Sequence, residues 1–303
     1  MAQAHALQAA LAKAHSADPE EAFPILAMST TGDRITDRAL LAAGGKGLFT
    51  KELEVALLNG EAAFAVHSMK DVPTTLPDGL EIAAMMARED PRDVLLSNSG
   101  ATRLADLPEG ARLGTASIRR QAQALNVRPD LKPVLMRGNV DTRLSKLKAG
   151  EADATFLARA GLRRLGRAEA ERPALDPDEM LPACAQGAVG MEIRSDDDAA
   201  RAALALIDHA PTRICATAER AFLAALDGSC RTPIAAYAVI TGEQLSMRGE
   251  ALTPDGQERW GASGEMVLGE APFEAAERLG RSLGEEVRVN GGETLRRAIA
   301  ETG

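Results

Sequence analysis

The sequence predicts an α/β protein with two doubly wound lobes and a hinged cleft between them, followed by a small α+β domain with a three-stranded antiparallel sheet. First, short apolar strands alternate with helical patterns up to about residue 194, which is typical of α/β lobes. Second, turn-rich segments at 88–93 and 181–190 suit two crossings of the chain between lobes. Two crossings give a hinged cleft, as in small-ligand binding proteins of the periplasmic type. Third, the pattern changes from about Pro211 to helix, loop, hairpin strands and a final helix from about Phe273.

The elements follow in chain order. Residues 1–15 and 48–58 have helical patterns. Apolar runs bounded by turn residues predict strands at 24–28, 62–66, 81–86, 94–97, 112–114, 133–136, 153–158, 191–194, 234–240, 244–252 and 259–267. The crossings then divide the chain into domain 1 (residues 1–87 and 187–208), domain 2 (92–183) and domain 3 (211–303).

Charge and composition restrict the kinds of partner. The 303-residue chain has a formal net charge of −9, which argues against nucleic acid as a partner. Residues 103–172 nevertheless contain 15 Arg and Lys against 8 Asp and Glu. A positive pocket in a negative body suits a small acidic ligand. RNA binding through this segment is a weak alternative, because aromatic residues for base stacking make up only 3% of the chain.

Targeting and cysteine patterns are equally informative. The sequence has no apolar run of about 18 residues and no signal-peptide pattern, so we expect a cytoplasmic protein that spans no membrane. Cys184, Cys215 and Cys230 show no paired metal-ligand spacing, so we expect neither a metal site nor a disulfide framework.

Two consecutive strand-to-helix turns carry arginines. In the first, Thr115 and Ser117 supply the turn and a plausible N-cap, and Arg119 and Arg120 lie in the first helical turn. Such a turn predicts an anion site, because backbone N–H groups and guanidinium groups point the same way. The alternative is an ordinary surface helix rich in arginine.

The second turn repeats this layout. Arg137 ends the strand, Asn139 is the expected N-cap and Arg143 follows about one turn into the helix. Arg163 and Arg164 follow the strand at 153–158 and add cations on the same rim. Two similar turns in tandem indicate a ligand with several negative groups.

The strand at 62–66 ends in the segment H-S-M-K-D-V-P. Ligands of doubly wound sheets meet the carboxyl ends of strands, so Ser68, Lys70 and Asp71 are placed for chemistry. An ordinary charged turn is the alternative. A Ser/His/Asp relay is not expected, because the side chains of His67 and Ser68 diverge on a strand.

Two further segments are candidates. The glycine-rich turn around Lys46 lacks the spacing of a P-loop and is interpreted as a mobile flap, with a phosphate loop as the alternative. Cys230 lies in the loop D-G-S-C-R-T-P beside Arg231, where a thiol is accessible, although most single cysteines are inert.

Taken together, several motifs resemble those of the porphobilinogen deaminase (hydroxymethylbilane synthase) family, in the family's order and over nearly the whole chain. They are G-G-K-G-L-F-T-K-E-L-E, A-V-H-S-M-K-D-V-P, R-E-D-P-R-D, G-T-A-S-I-R-R, R-G-N-V-D-T-R-L, A-G-L-R-R-L-G, Q-G-A-V-G and G-S-C-R-T-P. The resemblance implies a transferase of tetrapyrrole and haem biosynthesis. It would join four porphobilinogen molecules head to tail, with loss of ammonia, into hydroxymethylbilane, and would be primed on a dipyrromethane cofactor held by a cysteine thioether.

The resemblance also implies roles for individual residues. Asp71 corresponds to the catalytic carboxylate, Cys230 to the cofactor attachment residue and Lys46 to a substrate-binding lysine of the flap. Further residues match the positions that hold the acetate and propionate groups. For the cofactor these are Lys70, Ser68, Thr115, Ser117, Arg119 and Arg120, and for the substrate Arg137, Arg143 and Arg164. A monomer is expected.

The chain departs from the family pattern in two places. Family members open with an apolar strand that supplies an arginine and a serine, and this sequence begins in the helix that follows, so we expect a start placed too late or a truncated chain. Ala116 replaces a frequent serine. The alternatives to the enzyme are an inactive truncated deaminase and a non-catalytic two-lobed protein that binds small anions.

Overall fold

The computed structural model of the protein describes residues 1–30, 50–229 and 232–302. The helices are α1 (Ala2–His15), α2 (Pro19–Ala22), α3 (Lys51–Leu58), α4 (Ile118–Val127), α5 (Val140–Lys148), α6 (Arg159–Arg164), α7 (Asp198–Ala205), α8 (Ala210–Ala225) and α9 (Pro272–Thr302). The strands are β1 (Phe64–Ser68), β2 (Leu80–Met85), β3 (Asp93–Ser97), β4 (Arg112–Thr115), β5 (Lys132–Leu135), β6 (Ala154–Ala158), β7 (Val189–Arg194), β8 (Ile234–Thr241), β9 (Gln244–Leu252) and β10 (Arg259–Val267). Short 3₁₀ turns cover Met69–Asp71, Leu104–Asp106 and Ala168–Glu171.

The first sheet has the order β1-β7-β2, and β7 is antiparallel to both neighbours. β7 lies at the centre and is buried along almost its whole length, because α1 and α7 cover it. Leu7 and Leu11 of α1 pack with Ile193 of β7 and Leu204 of α7. This core fixes the position of β1, which leads directly into the turn at Met69–Asp71.

The predicted strand at residues 24–28 is wrong. These residues have no strand assignment, and an extended segment becomes a strand only when its backbone groups pair with a neighbour. Instead, the segment borders a cavity of about 730 Å³ that runs between α1 and the outer edge of β1. Ser68 and Asp71 also line this cavity.

The second sheet has the order β3-β6-β4-β5. β4 is parallel to both β5 and β6, whereas β3 is antiparallel to β6. The carboxyl ends of β4 and β5 therefore lie side by side, and each leads into a helix, α4 or α5. Gly114 in β4 allows close packing here, because a Cβ atom at this position would overlap the side chain of Met136.

The third sheet is fully antiparallel, with the order β10-β9-β8. α8 and α9 pack on it around Phe222, which contacts the backbone of Gly249 so closely that a side chain there would overlap its ring. Gly280 and Gly284 let α9 approach α8, because a Cβ atom at either position would collide with α8. The predicted α/β class and the antiparallel C-terminal sheet are confirmed, and the bounds of β9 and β10 agree with the sequence prediction. In the described ranges no helix combines the length and apolarity needed to cross a bilayer.

Candidate active site

The turn after β1 presents Lys70 and Asp71. Met69 anchors it, since its side chain is buried and its backbone N–H donates to the carbonyl of Ala188 at 3.1 Å. Gly190 makes room for the Met69 side chain, because a Cβ atom at Gly190 would overlap its sulfur. Lys70 and Asp71 are thereby held partly buried at the end of the strand.

The pKa of Asp71 differs from that of an exposed aspartate. Burial raises its pKa above the ordinary value, and the positive charges of Lys70 and His67 oppose that rise without cancelling it. A carboxylate with a raised pKa near other titrating groups is a candidate for proton transfer.

The pKa of Lys70 is shifted in the opposite direction, below its ordinary value. Burial lowers its pKa, Asp71 raises it, and Arg120 lowers it further. Asp93 and Arg119 act on it as well. The mutual influence of these groups shows that the turn after β1 and the first turn of α4 face each other.

The β4–α4 turn forms as the sequence predicts. Ser117 is the N-cap of α4, and its hydroxyl accepts from the backbone N–H of Arg120 at 3.4 Å. The Thr115 hydroxyl accepts from the N–H of Ser117 at 3.1 Å, which closes the turn. These bonds are local, so the short sequence G-T-A-S-I-R-R is sufficient to specify them.

Arg119 and Arg120 are buried, with exposed fractions of 5% and 6%, and share one carboxylate, Asp93. Arg119 Nη2 donates to Asp93 Oδ2 at 2.8 Å, and Arg120 donates through Nε at 3.0 Å and through Nη2 at 2.9 Å. Burial alone would raise the pKa of Asp93, but the two guanidinium groups outweigh it and hold that pKa far below its usual range. Two cations against one anion leave this cluster with one excess positive charge.

Sequence analysis missed Asp93. It lies at the start of β3, directly before three buried apolar residues, and Gln186 also donates to its Oδ1 at 2.8 Å. A carboxylate on a fully buried strand needs cationic partners, so an aspartate directly before the apolar run V-L-L was the available signal, although its arginine partners are 26 and 27 residues further along the chain.

The β5–α5 turn places Arg137 and Arg143 beside this cluster. Asn139 caps α5 as predicted and accepts from the N–H of Thr142 at 2.9 Å. Arg143 Nε donates to the Gly138 carbonyl at 2.9 Å. Burial, followed by the charges of Arg120 and Arg137, lowers the pKa of Arg143 to about 10. No anion offsets these effects on Arg143 among the described groups, so the site has spare positive charge.

Arg164 and Ser68 make other contacts. Arg164 Nη2 donates to the carbonyl of Gly187 at 2.6 Å, so it lies at the second crossing. Burial lowers its pKa, and Glu89 opposes that shift. The hydroxyl of Ser68 accepts from Gln3 Nε2 at 2.7 Å. Electrostatic influence thus connects Lys70 with Asp71, Arg119 and Arg120, and it connects Arg120 with Arg143, which also feels Arg137. Arg164 lies at the crossing.

Lys46 and Cys230 lie outside the described residues. Ser229 and Thr232, on either side of residues 230–231, are described. Ser229 N–H donates to Thr232 Oγ1 at 3.0 Å, and the Thr232 hydroxyl donates to the Ser229 carbonyl at 2.7 Å.

The described residues fit a ligand of the dipyrromethane type. Such a molecule carries two carboxylates on each ring. The buried cations around Arg143 have more positive charge than their neighbours neutralise, so a polycarboxylate would relieve their repulsion.

Family comparisons agree with this chemistry. Residues 1–202 match the family model described as porphobilinogen deaminase, dipyromethane cofactor binding domain, and residues 213–288 match the model of the porphobilinogen deaminase C-terminal domain. Proteins called porphobilinogen deaminase from two strains of Caulobacter vibrioides, NA1000 / CB15N and ATCC 19089 / CIP 103742 / CB 15, are each 53% identical over 277 residues. Each match covers 91% of this chain and 85% of the relative.

Two solved structures match this chain at low sequence identity. The VFT2 domain of BvgS from Bordetella pertussis (double mutant F375E/Q461E) gives a TM-score of 0.41 at 18% identity, covering 67% of this chain and 76% of that one. A periplasmic binding protein from Brucella ovis with glutathione bound gives 0.32 at 18% identity, covering 59% and 53%. The two family models together span most of the sequence, and the chain belongs to the porphobilinogen deaminase family.

Proposed function

We propose that this protein condenses four porphobilinogen molecules head to tail, with loss of ammonia, to give hydroxymethylbilane in tetrapyrrole and haem biosynthesis. One observation carries the proposal beyond family membership: Asp71, a carboxylate whose pKa burial raises, lies next to Lys70, and Lys70 is within electrostatic reach of the buried Arg119 and Arg120. An acid–base group next to a polycarboxylate receptor is the arrangement that this condensation needs.

Asp71 is the proposed catalytic residue. Its two oxygens can accept N–H bonds from a pyrrole, and its negative charge can stabilise the positive charge that develops on the substrate as ammonia leaves. Because burial raises its pKa, it also holds a proton more readily than an exposed aspartate does. Both duties require the carboxylate to face the reacting ring.

The cations are the proposed carboxylate receptors. Arg143 and Arg137, on the second strand-to-helix turn, bind substrate carboxylates, and Arg164 does so at the crossing. The first turn, with Lys70 beside it, serves the cofactor. Its members are Ser68, Lys70, Thr115, Ser117, Arg119 and Arg120. Each added pyrrole brings two negative charges, so excess positive charge on these side chains lowers the cost of chain growth.

Dipyrromethane, when bound, supplies the pyrrole carbon to which the first substrate is joined. Cys230 is the proposed attachment residue, and Lys46 is proposed to act from the flap. The family model over residues 1–202 supports this cofactor.

The wider organisation is also proposed. The domains are residues 1–87 with 187–208, then 92–183, then 211–303, a division supported by the three separate sheets. Family membership supports a monomer in the cytoplasm that binds neither membrane nor nucleic acid. Size-exclusion chromatography with light scattering tests the monomer, and fractionation of cells that express the protein tests its location.

Intact mass measurement with a bilane assay tests the function. Wild-type protein should carry a dipyrromethane adduct and form hydroxymethylbilane from porphobilinogen, and Cys230→Ser should lose both. An unmodified wild-type chain that binds carboxylates but forms no bilane would show a small-anion binding protein instead.

A further inference from the structure

A buried hydrogen bond between a histidine and a glutamate lies on the strand that leads into the turn with Asp71. His67 of β1 faces Gly190 of β7, and Ala65 faces Glu192, so His67 and Glu192 are diagonal neighbours on the same face of the sheet. His67 Nε2 and Glu192 Oε2 are 2.8 Å apart, and the side chains are 4% and 0% exposed. The pair is therefore shielded from water.

Glu192 also lies close to a second cation. Arg220 reaches over from α8 and donates to the carbonyls of Val72 and Pro73 at 2.9 and 2.6 Å, immediately after Asp71. Burial lowers the pKa of Arg220, and Cys184 and then Glu192 oppose that shift. The other oxygen of Glu192, Oε1, is buried and has no hydrogen-bond partner in the described ranges.

The carboxylate of Glu192 thus contacts His67, before the turn at Met69–Asp71, and influences Arg220, which binds the backbone after that turn. His67 lies two residues before the turn at Met69–Asp71, and Arg220 donates to the two carbonyls that follow it. We infer that Glu192 and His67 are a positioning pair for Asp71: Glu192 fixes the imidazole of His67, and the charge of His67 keeps the carboxylate of Asp71 ionised and oriented. This inference rests on the proposed condensation.

The physical argument is electrostatic. A carboxylate as buried as Glu192 is costly unless a hydrogen bond and a nearby cation offset its charge, and His67 and Arg220 supply these. His67 lies near Asp71 and, together with Lys70, opposes the effect of burial on the pKa of Asp71. The described charged groups acting on these residues are Lys70 and His67 on Asp71, and Arg220 and His67 on Glu192.

Substitutions of His67 and Glu192 can distinguish a role in positioning Asp71 from a role in fold stability alone. His67→Gln keeps a donor near the position of Nε2 but removes the charge, and Glu192→Gln removes the charge that holds the imidazolium. Both should raise the pKa of Asp71 and move the acidic limb of the kcat/KM profile to higher pH by about 0.5 to 1 unit. At the midpoint of the wild-type limb kcat/KM should fall about twofold to fivefold, and it should recover at higher pH.

Glu81→Gln is the matched control, because it removes a carboxylate from β2 of the same sheet, where Glu81 pairs with Arg201 at 3.0 Å on the half-exposed side. It should leave the pH profile unchanged. If His67→Gln and Glu192→Gln lower activity equally at all pH values, or move the limb to lower pH, the pair has only a structural role and the inference fails.

An NMR measurement tests the inference even if both variants fail to fold and even if the protein forms no bilane. In protein labelled with ¹⁵N-histidine, Asp71→Asn should shift the imidazole resonances of one histidine, because it removes the facing charge. The resonance is assigned to His67 by its retention in His5→Gln, His15→Gln and His209→Gln, the variants of the other three histidines. No shift would overturn the inference. Failure of bilane formation in wild type, with this shift present, would instead refute the proposed function.

Discussion

Arg88 and Glu219 form a buried bidentate ion pair: Arg88 Nη1 donates to Glu219 Oε1 at 2.7 Å, and Arg88 Nη2 donates to Glu219 Oε2 at 2.9 Å. The same arginine donates through Nε to the Gln186 carbonyl, and the same glutamate accepts from the N–H groups of Ala185 and Ala238. One pair therefore connects the first crossing, the second crossing, α8 and β8.

Arg88→Met should destabilise the fold strongly, because it leaves the carboxylate of Glu219 buried without its cation. Breaking such a pair costs about 3–5 kcal/mol in the free energy of unfolding, measured by urea denaturation. Arg297→Met is the control, since it breaks an exposed pair with Glu293 and should cost less than about 1 kcal/mol. Equal losses in the two variants would contradict the central role of the buried pair.

Asp71→Asn should stabilise the protein while abolishing bilane formation. The raised pKa of Asp71 means that its ionised form costs folding free energy. That cost is full above the raised pKa and absent below the ordinary value of about 3.9, so the gain should be largest at neutral pH and vanish in acid. We expect the Tm at pH 7 to rise by about 2–4 °C.

Asp78→Asn provides the comparison, because it removes an exposed aspartate from the turn before β2. Its Tm should stay within about 1 °C of wild type. A fall in Tm for Asp71→Asn at pH 7 would show that Asp71 contributes to stability rather than to function.

Arg143→Gln should weaken substrate binding with a smaller effect on the chemical step. A hydrogen bond to a charged group is worth about 1.5–3 kcal/mol, so KM for porphobilinogen should rise about tenfold to a hundredfold. Stabilisation of the protein by added citrate, measured as a shift in Tm, should also decrease. Arg103→Gln, which removes an exposed arginine of the same lobe, should change neither value.

Local sequence signals predicted much of the fold. The N-caps Ser117 and Asn139 and the strands β9 and β10 depend on neighbours in the chain, and all lie where the sequence indicates. The strand at 24–28 could not be settled in this way. A strand needs a partner, and partners are supplied by the tertiary structure.

The sequence predicted the cationic residues of the site but not its buried carboxylates. Arg119 and Arg120 are conspicuous on a helix, whereas Asp93 is remote in sequence and only the folded sheet brings it between them. Glu192 was missed because an acidic residue between apolar neighbours is normally interpreted as the solvent face of a strand. Burial, the property that gives both carboxylates their effect, cannot be read from a local pattern.

Lys70 should set an alkaline limit on substrate binding. Burial lowers its pKa below the ordinary 10.5, so its positive charge is lost at lower pH than for an exposed lysine. KM should therefore rise as the pH increases through that lowered pKa. In Lys70→Arg the guanidinium stays charged, so KM should remain constant over the same pH range even if its absolute value is higher.

Lys132→Arg, at an exposed position of β5, is the control and should retain the wild-type dependence of KM on pH. If Lys70→Arg also keeps the wild-type rise in KM, the titrating group is not Lys70, and the cation that faces Asp71 does not contribute to carboxylate binding.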